Sequence, residues 1–134
     1  MRWGALAGIV VAAVAGLSCK GTAPTGPDGS PSNIIFPTTG VSYSHQVQPL
    51  FDQACNQQSC HGSGTQSNPL VLASYGQAVL TIPGIVVPKT PGSSVLVLRI
   101  QGSVGDRMPP GAYPLNQNQI DGIRTWIAEG AMNN

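Results

Sequence analysis

The chain has 134 residues, with six Lys or Arg against five Asp or Glu. That length fits one domain, and the balanced charge excludes a binder that works by neutralising phosphates. Aromatic residues make up 5% and charged residues 8%, against 17 Gly and 12 Pro, which excludes a long coiled coil and leaves a small core in need of a staple.

Residues 1–18 read as a signal peptide. Met1, Arg2 and Trp3 form a short positive start, and the apolar run from Gly4 to Leu17 is too short to span a bilayer comfortably. Ala15-Gly16-Leu17-Ser18-Cys19 resembles a bacterial lipoprotein signal, which implies that Cys19 becomes the lipidated first residue. Simple secretion with a cut near Cys19 is the alternative. Residues 19–40 then hold the lipidated cysteine and a flexible linker, since 20–40 contain four Pro, four Gly and six Ser or Thr. Ile34-Ile35-Phe36 interrupts that composition, and the sequence alone does not say whether it docks on the domain.

Residues 41–134 carry the fold, which the spacing predicts to be mainly helical. Val47, Leu50, Phe51 and Ala54 fall at helical intervals in a segment that runs into Cys55. A short helix is expected from Ser74 with Tyr75, Ala78 and Val79. Pro91-Gly92-Ser93-Ser94 precedes Val95, Leu96, Leu98 and Ile100, and either serine can cap that helix. Asn116 and Gln119 form an approximate capping box before Ile120, Ile123, Trp126 and Ile127. Segments 62–73, 81–91 and 102–115 are Gly- and Pro-rich and are expected to be loops.

The chemistry concentrates at Cys55-Asn56-Gln57-Gln58-Ser59-Cys60-His61. Two cysteines followed directly by histidine resemble the haem-attachment signature of c-type cytochromes, with four intervening residues instead of the usual two. The resemblance implies thioether bonds from both thiols to haem vinyl groups and an imidazole ligand from His61. Other readings of the same residues stay open. An exported chain favours oxidation, so Cys55 and Cys60 could form a disulfide and leave His61 without a role. Zinc would need four ligands, and His45, His61 and the two cysteines lack a standard finger spacing. Copper would also take His, Cys and Met, with His45 as the second histidine.

Asp106-Arg107-Met108-Pro109-Pro110 supplies the second half of the signal. Two prolines stiffen the backbone directly after Met108, and its thioether is a fitting second axial ligand opposite a histidine. Met132, the other methionine of the domain, lies near the chain end.

Taken in order, Val47-Gln48-Pro49-Leu50-Phe51, Cys60-His61-Gly62, the Met108-Pro109-Pro110 loop and the stretch Ile120–Ala131 resemble a class I cytochrome c domain of the short bacterial type over residues 43–131. Pro91-Gly92-Ser93-Ser94 with Leu96 and Arg99 is similar to the family's middle helix. The resemblance implies an all-α, cytochrome c-like fold with long Gly/Pro-rich loops around one haem c. The first and last helices are expected to cross near Phe51 and Trp126. Cys55, Cys60, His61 and Met108 are the expected cofactor-binding residues, with His61 and Met108 on the iron. Leu72, Leu96, Ile100 and Pro109 are candidates for lining the ring, and Arg99 and Arg107 for facing its propionates. A large apolar cofactor, covalently held, also accounts for the scarcity of aromatic side chains.

With both axial positions filled, the implied function is electron transfer rather than catalysis. No acidic pair near a base and no phosphate loop stands out, and Glu129 is the single glutamate. The expectation is a one-haem carrier, exported to the periplasm or cell surface, tethered to a membrane through Cys19 and serving redox partner proteins. The alternative is a surface lipoprotein without haem, either disulfide-stapled or copper-binding.

Overall fold

The computed structural model describes residues 33–63, 69–110 and 114–134. The signal peptide, Cys19 and the linker up to residue 32 lie outside the described residues. All regular structure among the described residues is helical, as the spacing predicts. A π-helical turn, Tyr43–Val47, leads into α1 (Gln48–Ala54); a second π-helical turn spans Gly76–Leu80. A 3₁₀ turn (Pro91–Ser93) precedes α2 (Val95–Gln101), and α3 (Gln117–Ala128) is the longest element. Among the described residues no helix is long and apolar enough to cross a membrane.

Local chemistry explains the ends of these helices. At α3 the Asn116 side chain accepts from the Gln119 amide at 2.9 Å, and the Gln119 side chain accepts from the Asn116 amide at 3.1 Å. This reciprocal pair satisfies two amides that a helix start leaves open. At α2 the expected serine cap is replaced by backbone. Ser94 stands at the N-cap position, but its fully buried hydroxyl bonds to the Val87 amide and to the carbonyls of Val87 and Thr90. The first amides of α2 donate instead to Gly84 and Ile85 carbonyls, at 3.0 Å each. The run Ile85-Val86-Val87 is thereby used to start a helix and is not a strand.

The core gathers one face of each helix: Leu50 and Phe51 from α1, Val97 and Ile100 from α2, Trp126 and Ile127 from α3. α2 packs against α3, and the 91–93 turn packs against both. The aromatic partner of Trp126 is Tyr43 rather than Phe51, with ring centroids 5.5 Å apart. α1 and α3 make little direct contact, so the crossing expected near Phe51 and Trp126 is not formed. Tyr43 also meets Tyr75 edge-on at 5.1 Å.

The packed body begins before Val41. Phe36 is only 3% exposed, and its ring fills the space above Gly122, where an added Cβ would lie 2.0 Å from the ring. Asn118 accepts from the Phe36 amide at 2.9 Å and donates to its carbonyl at 3.0 Å. Glu129 then takes the amides of Gly40 and Val41 on its two carboxylate oxygens, at 2.7 and 3.0 Å. The question the sequence left open about Ile34-Ile35-Phe36 is thus answered by docking onto α3.

Candidate functional site

Cys55, Cys60 and His61 are brought together in one closed loop at the end of α1. The amides of Cys55 and Asn56 both donate to Phe51, at 2.8 and 2.7 Å, which ends the helix. The His61 amide then returns to the Cys55 carbonyl at 3.1 Å, while Cys60 and Gly62 donate to Gln57 at 2.9 and 3.1 Å. The four residues between the cysteines therefore form a turn of their own, folded beneath the joint between Cys55 and His61. Gly62 is required for the closure: an added Cβ would meet the carbonyl oxygens of Gln57 and Asn56 at 2.9 and 3.0 Å. A contact that short between a Cβ and backbone cannot be relieved by a rotamer change.

His61 is half-buried, and its Nδ1 lies 3.1 Å from the Leu70 carbonyl oxygen. A carbonyl can only accept, so Nδ1 is the donor in this contact, and Nε2 is the ring nitrogen that a metal would take. Metal-binding histidines are held in the same way, by a hydrogen bond from the other ring nitrogen. The segment carrying Leu70 is fixed in turn, because the Leu72 amide donates to the His61 carbonyl at 2.9 Å and Gln48 donates to the Leu72 carbonyl at 3.1 Å.

The thiols differ. Cys55 is free and packs partly buried against the core. Burial, and then the negative charge of Asp52, push its pKa up to about 12. Cys60 is disulfide-bonded, so the Cys55–Cys60 bridge that the sequence left open is not formed. Asn56, beside Cys55, donates to Asp52 at 3.0 Å, but its own side-chain oxygen is buried with no hydrogen-bond partner among the described residues. Such an acceptor costs about 1–3 kcal/mol, a weak point in an otherwise closed loop.

Met108 sits on a separate loop, after α2. It is half-buried, its peptide bond to Pro109 is cis, and its amide donates to the Arg99 carbonyl at 2.9 Å. The two arginines are both turned onto backbone. Arg99 reaches the carbonyls of Val104 and Asp106, at 3.4 and 3.1 Å, and Arg107 that of Leu115 at 3.5 Å. Leu72, Leu96 and Ile100 belong to the buried core, and Pro109 is half-buried.

The residues weighed for other metals are placed apart from this loop or at the surface. His45 is exposed, with Nδ1 near the hydroxyls of Ser42 and Ser44 at 3.1 and 3.2 Å. Met132 is 54% exposed, and its carbonyl accepts from the Trp126 indole at 2.9 Å. Among the described residues no three His, Cys, Asp or Glu side chains converge on one point, as a zinc or copper site using His45, His61 and a cysteine requires. A histidine–methionine pair makes no such demand. Cys19 lies outside the described residues.

Sequence reasoning missed Arg99 as an organiser of the methionine loop and Leu70 as the partner of His61. Neither has a local signal, since the first contact is made by an ordinary helix residue and the second by a backbone carbonyl. No family model matches the chain, and neither a curated protein nor a solved structure matches it.

Proposed function

We propose that this chain is an exported one-haem electron carrier of the class I cytochrome c type, tethered through Cys19. The observation that carries the reading is His61, oriented through its Nδ1 by the Leu70 carbonyl inside a closed loop that also carries both cysteines. When bound, a haem supplies an iron that alternates between ferrous and ferric by one electron.

In this reading the chain's residues do four things. Cys55 and Cys60 hold the cofactor through thioether bonds. His61 would offer Nε2 to the iron. Met108 would offer its sulfur, and a neutral thioether ligand favours the ferrous state and raises the potential. The helical core would supply apolar side chains to the ring. With the iron held by both His61 and Met108 no position would be left for a substrate, and the chain would act as a carrier for redox partner proteins.

A second reading rests on the disulfide at Cys60. One sulfur cannot be in a disulfide and a thioether at once, so the oxidised form is a disulfide-stapled surface module without haem on Cys60. A visible spectrum of the exported protein, before and after acid–acetone extraction, separates the two. Sharp haem bands that stay with the protein, and vanish when Cys55 and Cys60 are both changed to alanine, support the carrier. A colourless protein with Cys60 oxidised sinks it. Met108→Ala should keep the covalent haem, bind carbon monoxide and lose the near-infrared band of iron–methionine ligation.

A further inference from the structure

In the loop after α2, the Ser103 amide returns to the Leu98 carbonyl at 2.8 Å and Arg107 reaches Leu115 at 3.5 Å, while Arg99 makes the remaining ties. Arg99 lies in the last turn of α2, half-buried, with its carbonyl and its side chain both turned toward residues 102–108. The carbonyl receives the amides of Gly102 and Met108, at 3.1 and 2.9 Å. One guanidinium nitrogen bridges the carbonyls of Val104 and Asp106, at 3.4 and 3.1 Å. It passes so close to Gly105 that a Cβ there would lie 2.2 Å from that nitrogen. Residues 101–107 are otherwise exposed, including Val104 at 50%, so hydrophobic burial does little to hold the loop. A cation shared between the carbonyls of Val104 and Asp106 restrains the middle of a segment that ends at Met108.

We propose that Arg99 is the positioning residue for Met108: its cation fixes the 102–107 loop, and its carbonyl sets the methionine backbone. The inference deepens the carrier reading and rests on it for the role of the sulfur, but the clamp itself is measurable without haem. It also predicts which substitution is tolerated. A single nitrogen makes both side-chain contacts, so a lysine ammonium can replace it, whereas a neutral side chain cannot.

The test compares the full chain with Arg99→Gln and Arg99→Lys, by amide hydrogen exchange and by spectroscopy of the exported protein. In Arg99→Gln the Met108 amide should exchange at least tenfold faster, while amides inside α3 keep their protection. With haem attached, the same variant should retain covalent colour, lose most of the near-infrared iron–methionine band and gain carbon monoxide binding. Arg99→Lys should stay close to wild type in each readout. If Arg99→Gln does not fold, Arg99→Met, which keeps the apolar stem and removes only the cation, replaces it. Wild-type protection of Met108 together with a wild-type near-infrared band in the neutral variant overturns the proposal, and so does failure of lysine to rescue. A colourless wild type that still shows the exchange pattern refutes the carrier reading and leaves the clamp standing.

Discussion

Phe36→Ala tests whether the end of the linker belongs to the folded domain. The ring is 3% exposed and sits where any side chain at position 122 would have to go, so its removal leaves a cavity over α3 that a glycine cannot fill. Large-to-small changes of this kind cost about 3–5 kcal/mol. A domain of this size has about 5–15 kcal/mol in total, and near 100 residues each kcal/mol lost lowers the melting temperature by about 4–8 °C. A fall of more than about 10 °C is therefore expected in thermal melts followed by circular dichroism. Ile35→Ala is the control: that side chain is 80% exposed, and its loss should stay within about 0.5 kcal/mol. Gly122→Ala should reproduce the Phe36 defect, because the new methyl group expels the ring. A Phe36→Ala protein within about 1 kcal/mol of wild type would show that the segment only rests on the surface.

Gly62→Ala should open the attachment loop, since its Cβ would strike two carbonyl oxygens; the expected result is a cost of about 1–3 kcal/mol and a sharply lower yield of covalent haem, read from absorbance per mole of protein. Haem-free protein should lose stability above pH 9, because the unfolded Cys55 thiol ionises near 9.0 while the folded one holds its proton to about 12. In that window the unfolded state binds fewer protons, so unfolding is favoured by about 1.4 kcal/mol per pH unit; urea titrations from pH 8 to 11 should show the slope, and Cys55→Ala should flatten it.

What the sequence shows and what it conceals divide by distance along the chain. The capping box at Asn116 and Gln119 and the apolar stripe through Ile120, Ile123 and Ile127 are patterns within one helix, and both are present as read. The closed turn from Cys55 to Gly62 is local too, which is why the motif could be singled out. Contacts between distant segments leave no such pattern. Phe36 finds its socket at Gly122 and its backbone partner at Asn118, and nothing near Phe36 in the sequence marks either. Ser94 has the residue type of a cap, but its hydroxyl is claimed by Val87 and Thr90 and the capping falls to Gly84 and Ile85. That outcome depends on how a loop returns to the helix, which side-chain propensity does not encode.

The two halves of the candidate site are held by different forces. The histidine half is anchored to α1, whose Leu50 and Phe51 are buried, and to the segment of Leu72, also buried; backbone hydrogen bonds close every step between them. Opening it means exposing core. The methionine half depends on an arginine whose side-chain contacts are exposed to solvent, and such contacts are weak and easily exchanged for water. Local opening draws on the least stable segments first, so the methionine side yields before the histidine side. An iron held in this frame would keep its histidine through fluctuations that release the sulfur. The balance between a closed carrier and a ligand-binding site would then be set at Arg99, nine residues before Met108, and not at the histidine.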